Sequence, residues 1–212
     1  MNDFIAIPSI GNDDIDAFPD QVFGKIEFSH CNRAILLGCL NYIKTVFPES
    51  NTVVEIGVDR DRTNPHTSSK TILNNTTNKS FLLFIDIEDR SYISDYRDET
   101  AFLQMDSSDI SKGFKFLQER KIDKIDLLFI DGWHSVRQVY LEWAWTEKLS
   151  DLGLVLLHDT NYHPGPKEVI SKLNPNKWVF KYLCMNSEDN GIALVWRKTN
   201  PHSDYLFNYF SL

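Results

Sequence analysis

The sequence predicts an α/β protein, a doubly wound and mostly parallel sheet closed by an antiparallel C-terminal hairpin. Three observations predict it. Residues 127–130 (LLFI) and 154–157 (LVLL) are apolar at every position, as strands covered on both faces must be, and a helix-length segment separates them, which describes a parallel βαβ unit. Two further runs, TVVEIG at 52–57 and FLLFID at 81–86, alternate with helical patterns earlier in the chain. Residues 178–183 and 192–196 then read as strands around an Asp189-Asn190-Gly191 turn, the form of a hairpin.

Each element follows from its local pattern. Ile35, Leu36, Cys39, Leu40, Ile43 and Phe47 recur at helical spacing after Ser29, a plausible N-cap, and Pro48 ends the segment. A short helix is expected from about Ser68 to Asn75, capped by Thr67 or Ser68. A third strand is expected at 102–105 and a helix at 110–120. Val136, Val139, Tyr140, Trp143 and Leu149 give the helix after residue 131 an apolar face, on which Trp143 and Trp145 read as packing residues. Residues 161–166 (NYHPGP) read as a loop able to cover a substrate, with a helix restarting over 167–173.

Composition limits what the chain can be. With 212 residues, 42% of them hydrophobic, it can bury one substantial core, so we divide it into an irregular arm over 1–28, one domain over 29–198 and an aromatic tail over 199–212. The arm is expected near the site, and the tail on its own domain or on a second subunit. A net charge of -8 argues against nucleic acid as a partner, and no run reaches the roughly 20 apolar residues of a membrane span. Three cysteines without scaffold spacing suggest free thiols, hence a cytoplasmic protein, with Cys39 in the core.

The chemistry concentrates at strand ends. Asp131 and Asp159 each follow an apolar run at neighbouring strands, so both should face the crevice beyond the carboxyl ends of the sheet, where α/β proteins bind ligands. Two converging carboxylates repel each other unless a cation or a shared proton intervenes, and hard oxygen donors suit Mg²⁺ or a similar divalent ion. His134 lies three residues past Asp131 and could accept a proton from a hydroxyl, with a capping or exposed histidine as the alternative. His158 reads as a structural, hydrogen-bonded histidine. Asp86, at the end of the second strand, is placed to accept hydrogen bonds from ribose hydroxyls, or else supports a turn.

The stretch LLFIDGWHSVRQVYLEWAWTEKLSDLGLVLLHDT followed by HPGPKEV, with weaker matches at VVEIG and FLLFID, resembles the class I methyltransferases that use S-adenosylmethionine. Within them it is most similar to the metal-dependent small-molecule O-methyltransferases grouped with macrocin O-methyltransferase and cephalosporin-hydroxylase-like proteins. The resemblance spans roughly residues 51–196 and implies a Rossmann-like, seven-stranded sheet with a reversed terminal hairpin.

Residue by residue, the resemblance implies that Glu55 and Gly57 border the methionine part of the cofactor, that Asp86 holds the ribose, and that Asp106 and Ser107 lie near the adenine. Asp131 and Asp159 become metal ligands. Thr160 stands where catechol-type relatives often place an Asn ligand, with Asn161 as a substitute, and His134 stands where they commonly carry a base. The implied activity is methyl transfer to a hydroxyl of a small molecule, a sugar or a phenol, with oligomerisation left open.

The first loop departs from this pattern. Relatives usually have a second Gly after Glu-x-Gly, whereas this chain has Asp59-Arg60-Asp61-Arg62 and Pro65. Such a loop either binds the cofactor through Thr67 and Ser68 or fills the pocket, which would make the protein a noncatalytic binding module on the same fold. A metal-assisted hydrolase using Asp131, Asp159 and His158 is a third reading, unsupported by a Gly-x-Ser-x-Gly nucleophile motif.

Overall fold

A computed structural model of the chain describes residues 3–8, 28–58, 63–187 and 189–210. The strands are β1 (Asn51–Ile56), β2 (Ser80–Asp86), β3 (Thr100–Gln104), β4 (Ile125–Ile130), β5 (Leu149–His158), β6 (Trp178–Leu183) and β7 (Ile192–Arg197). They form one seven-stranded sheet in the order β3-β2-β1-β4-β5-β7-β6. Every pairing from β3 to β5 is parallel, while β7 runs antiparallel to both β5 and β6. The expected sheet and its reversed hairpin are present.

Helices cover both faces because the strands alternate their inward residues between two apolar layers. On one face α1 (His30–Val46), α2 (Ser68–Asn75) and α6 (Ser203–Tyr209) meet Val53, Phe84, Leu127, Phe129, Leu156 and Trp196. On the other, α3 (Ile110–Glu119), α4 (Val136–Glu142) and α5 (Pro164–Ser171) meet Val54, Ile85, Leu128, Ile130, Val155 and Val195. Trp143 and Trp145 are buried in this second layer, as packing residues should be.

Helix starts follow their caps. The Ser29 hydroxyl accepts from the Asn32 N–H at the start of α1, and Thr67 accepts from Lys70 N–H at the start of α2, each satisfying an amide that lacks an intrahelical partner. β3 spans Thr100–Gln104 rather than 102–105, and two boundaries differ from expectation by more. Leu149 begins β5 and pairs with Ile125, because α4 gives way to a 3₁₀ turn over Trp143–Lys148. The segment after β5 turns helical at Pro164 rather than at 167, since Pro at the first helical position has no amide to leave unsatisfied and a preset φ.

The ends of the chain also differ in part. Residues 3–8 dock away from the sheet's carboxyl rim: Phe4 packs on Tyr140 and Trp143 and bridges to Leu173, and Asp3 pairs with Lys177 at 2.8 Å. The rest of the arm, residues 9–27, lies outside the described residues, as does loop 59–62. The aromatic tail forms α6 on its own domain, with Leu206 and Phe210 buried against α1 and Tyr205, Phe207 and Tyr209 exposed.

The cysteine expectation is corrected. Cys31 and Cys184 form a disulfide across 153 residues of sequence, joining the start of α1 to the loop after β6, and only Cys39 is a free thiol, buried in the core. Folding brings together two residues whose spacing in sequence carries no signal. The argument for a reducing, cytoplasmic setting loses its ground with them. Among the described residues, no helix is long and apolar enough to cross a membrane.

Candidate active site

The chain moves from β1 outward through β2 and β3, then returns to add β4 and β5 on the other side of β1. This reversal opens a crevice between the carboxyl ends of β1 and β4, where open α/β sheets bind ligands. The registers Ile56↔Ile85, Ile56↔Ile130 and Ile130↔Leu157 align the strand ends. One step beyond them, Asp86, Gly57, Asp131 and His158 form a row along the rim.

Gly57 makes that row possible. Its φ is +84°, and an added Cβ would sit 2.0 Å from the Asp131 carbonyl oxygen, so the backbones of β1 and β4 meet there as no side chain would permit. Asp86 accepts from the Val58 N–H at 2.8 Å and from the Glu88 N–H at 2.9 Å. These bonds lock a partly exposed carboxylate beyond β2 with acceptor capacity remaining, which suits a ligand carrying hydroxyl donors, as a ribose does. Glu55 points into the α1/α2 layer instead, fully buried, and accepts from the Ser69 hydroxyl at 2.6 Å. Thr67 and Ser68 are buried at the start of α2.

Asp106 and Ser107 lie beyond β3. Asp106 is exposed and accepts from Ser108 and Gln138, contacts that hold its carboxyl below the usual range. The Ser107 hydroxyl donates to Glu142, an acid on the buried face of α4. Burial outweighs its bonds to Ser107 and Gln138 and pushes the Glu142 carboxyl up to about 7.

The centre of the site lies beyond β4 and β5, where two carboxylates and three imidazoles converge. His158 Nδ1 is 2.8 Å from Asp131 Oδ1 and 3.3 Å from Asp159 Oδ1. His134 faces Asp159 Oδ2 through Nδ1 at 3.3 Å and Asp131 Oδ1 through Nε2 at 3.5 Å. His163 Nε2 lies 3.7 Å from Asp159 Oδ2 and stacks on His134, with ring centroids 4.7 Å apart. His158 is hydrogen-bonded on both sides, to Asp131 and, through Nε2 at 2.8 Å, to the Asn32 amide on α1.

Two backbone features hold this centre in shape. Asp159 adopts φ +59°, a left-handed conformation that a non-glycine residue rarely takes and that recurs at functional sites. Gly165, at the start of α5, donates to the His134 carbonyl, and a Cβ there would lie 2.4 Å from that oxygen. The HPGP segment therefore clamps His134 and brings His163 beside it.

Charges follow the geometry. Burial works against ionising Asp131, but His158 and His134 beside it outweigh burial and hold its carboxyl at about 2. Burial likewise disfavours the imidazolium of His158, yet Asp131 and Asp159 raise its pKa to about 9. His134 is raised for the same reason, burial being outweighed chiefly by Asp159.

The remaining candidates are split. Thr160 is buried next to Asp159, its hydroxyl makes no hydrogen bond, and it borders an open groove of about 610 Å³ with Val136, Pro164, Tyr182 and Met185. Asn161 donates its amide to the carbonyls of Cys184, Asn186 and Asp189, so it fastens the loop between β6 and β7. The donors that do converge fit a divalent cation. Asp131, His158 and Asp159 offer ligand atoms all within 4.8 Å of one another, and the buried Asp159 Oδ1 has no hydrogen bond of its own.

Three contributors escaped sequence reasoning: Asn32, Glu142 and His163. Asn32 lies four residues before Leu36 and Glu142 three after Val139, so each is a polar residue on an apolar helix face, a signal that could have marked both. His163 stood in an expected loop and gave no such signal.

No protein-family model matches the sequence, and no curated protein is similar to it in sequence. Solved structures are similar in fold. MycE methyltransferase from the mycinamycin biosynthetic pathway, in complex with Mg and SAH, aligns with a TM-score of 0.55 at 17% identity over 76% of this chain and 49% of that one. CalS11, a TDP-rhamnose 3'-O-methyltransferase of calicheamicin biosynthesis, aligns with a TM-score of 0.54 at 12% identity over 79% of this chain and 80% of that one. The chain thus spans about half the length of MycE and most of CalS11. The likeness shows the fold: the chain has the Rossmann-like sheet found in these methyltransferase structures.

Proposed function

We propose that the protein is an S-adenosylmethionine-dependent O-methyltransferase acting on a hydroxyl of a small molecule, a sugar or a phenol, with help from a divalent cation such as Mg²⁺. The observation that carries this reading is the rim row at the β1/β4 reversal. It sets an acceptor of hydroxyl hydrogen bonds, Asp86, on one side of Gly57 and the Asp131–Asp159–His134 centre on the other. A cofactor bridging that row would bring its methyl group toward the cluster of acids.

In this reading Asp86 holds the ribose hydroxyls, Gly57 lets the β1 and β4 backbones meet so that the row forms, and Asp106 and Ser107 border the adenine. Asp131 and Asp159 hold the cation, which when bound lowers the pKa of an acceptor hydroxyl. His134, clamped by Gly165, would take the hydroxyl proton once a bound cation offsets the two carboxylates that raise its pKa. The groove beside Thr160 receives the rest of the acceptor, and its Val136, Pro164 and Met185 walls suit an apolar or aromatic portion. The protein's main contribution is orientation of two reactants, since methyl transfer needs the oxygen and the sulfonium carbon in line. An association of two copies would use the exposed aromatics of α6.

Calorimetric titration with S-adenosylhomocysteine, with and without Mg²⁺, tests the reading without knowledge of the acceptor. Micromolar binding is the expected result. Asp131→Asn should then abolish turnover on an identified acceptor while changing cofactor affinity less than about threefold, because Asp131 serves the acceptor side. No binding by folded protein would turn the assignment to a noncatalytic binding module.

A further inference from the structure

We infer that the cation centre is a mixed oxygen and nitrogen site that prefers a transition ion to Mg²⁺, with His158 as its third ligand and Asn32 as the residue that orients His158. The inference rests on the reading of Asp131 and Asp159 as cation ligands, and it adds a nitrogen ligand beside them. The Asn161 amide nitrogen is committed to three carbonyls.

The distances suit ligand atoms around one ion. Two donors bonded to a metal at about 2.0–2.1 Å lie roughly 2.9 Å apart at a right angle and about 3.3 Å apart at the tetrahedral angle. His158 Nδ1 stands 2.8 Å from Asp131 Oδ1 and 3.3 Å from Asp159 Oδ1. A proton on Nδ1 serves Asp131 well but leaves Asp159 Oδ1, buried, without a hydrogen bond. A cation in its place engages all three atoms at once.

Asn32 supplies what a ligating imidazole needs on its far side. A histidine that binds metal through one nitrogen donates its other N–H to an acceptor, which fixes its tautomer. Asn32 lies 2.8 Å from His158 Nε2, and its own Oδ1 is buried without a hydrogen bond. A half-turn of the Asn32 amide brings Oδ1 to Nε2, where it accepts the Nε2–H and leaves the Nδ1 lone pair facing the carboxylates. Metal binding then releases the Nδ1 proton to solvent. Asn32 is held firmly, between the Ser29 cap, bonded to Asp189, and the Cys31–Cys184 disulfide.

The donor set decides the ion. Mg²⁺ favours oxygen ligands and keeps its waters, whereas imidazole favours Zn²⁺, Fe²⁺, Co²⁺ or Ni²⁺. The other converging group at this centre, His134, Asp159 and His163, is looser, with His163 Nε2 standing 3.7 Å from Asp159 Oδ2.

The test uses the 212-residue chain, stripped of metal and with its disulfide intact, titrated with Co²⁺, Zn²⁺ and Mg²⁺. Co²⁺ and Zn²⁺ should bind at least about a hundredfold tighter than Mg²⁺. His158→Ala and Asn32→Leu should each weaken Co²⁺ binding by about tenfold or more while changing Mg²⁺ binding less than about threefold. Pulsed electron paramagnetic resonance of the Mn²⁺-loaded wild-type chain should show one imidazole nitrogen coupling that His158→Ala removes, and the wild-type signal needs no variant to fold. Mg²⁺ binding as tight as Co²⁺, or no nitrogen coupling, would overturn the inference. So would a coupling that survives His158→Ala and disappears in His134→Ala. Methyl transfer stands or falls separately, on S-adenosylhomocysteine binding.

Discussion

Single residues hold this site under tension that measurements can detect. Glu142 is fully buried with a carboxyl pushed up to about 7, so the folded state holds a proton that the unfolded chain releases near 4.5. Its contribution is complete below the unfolded value and is lost as pH rises from about 4.5 through about 7, on the order of 3 kcal/mol. Glu142→Gln keeps the shape without the charge, so it should stabilise the protein at pH 8 and flatten its stability profile across that window. Denaturant melts at pH 5 and 8 check this. Gly57→Ala should do the opposite at every pH, because the new Cβ meets the Asp131 carbonyl at φ +84°. A loss of about 3 kcal/mol, or roughly 6–12 °C in Tm, is expected from thermal denaturation.

At the scale of elements, the disulfide has the largest reach. Cys31 opens α1 and Cys184 follows β6, so one bond closes most of the chain. Constraining a loop of this length removes unfolded-state entropy worth about 3–5 kcal/mol. Reduction should lower the guanidinium midpoint without unfolding the sheet at 25 °C, as read by circular dichroism with and without a phosphine reductant. Most elements were legible in sequence because their signals are local: Ser29 and Thr67 as caps, the all-apolar β4, the acid-ended β2. Residues 143–149 and 161–166 were not, because a 3₁₀ turn and a helix that starts on Pro164 depend on what surrounds them.

For the whole molecule, the strand order creates the site. The reversal between β1 and β4 gathers residues from strands and helices around one crevice, so a ligand bound there should stabilise backbone on both sides of it. Hydrogen exchange in S-adenosylhomocysteine should slow at residues 56–58, 86–88 and 105–108 and leave β6 unchanged. An equal slowing of β6 would place the ligand elsewhere.

The sequence by itself determined the layered α/β architecture, the terminal hairpin and the acids at the strand ends, since periodicity and turn chemistry are read within a few residues. Tertiary structure alone decided which side chains meet. Asn32 and His158 are 126 residues apart, and Cys31 and Cys184 are 153 apart. Nothing local names the partners of such residues, because those partners are set by the sheet's register and by how helices pack across it. His134, His158 and His163 become one centre for the same reason: β4 and β5 end, and α5 begins, at the same rim.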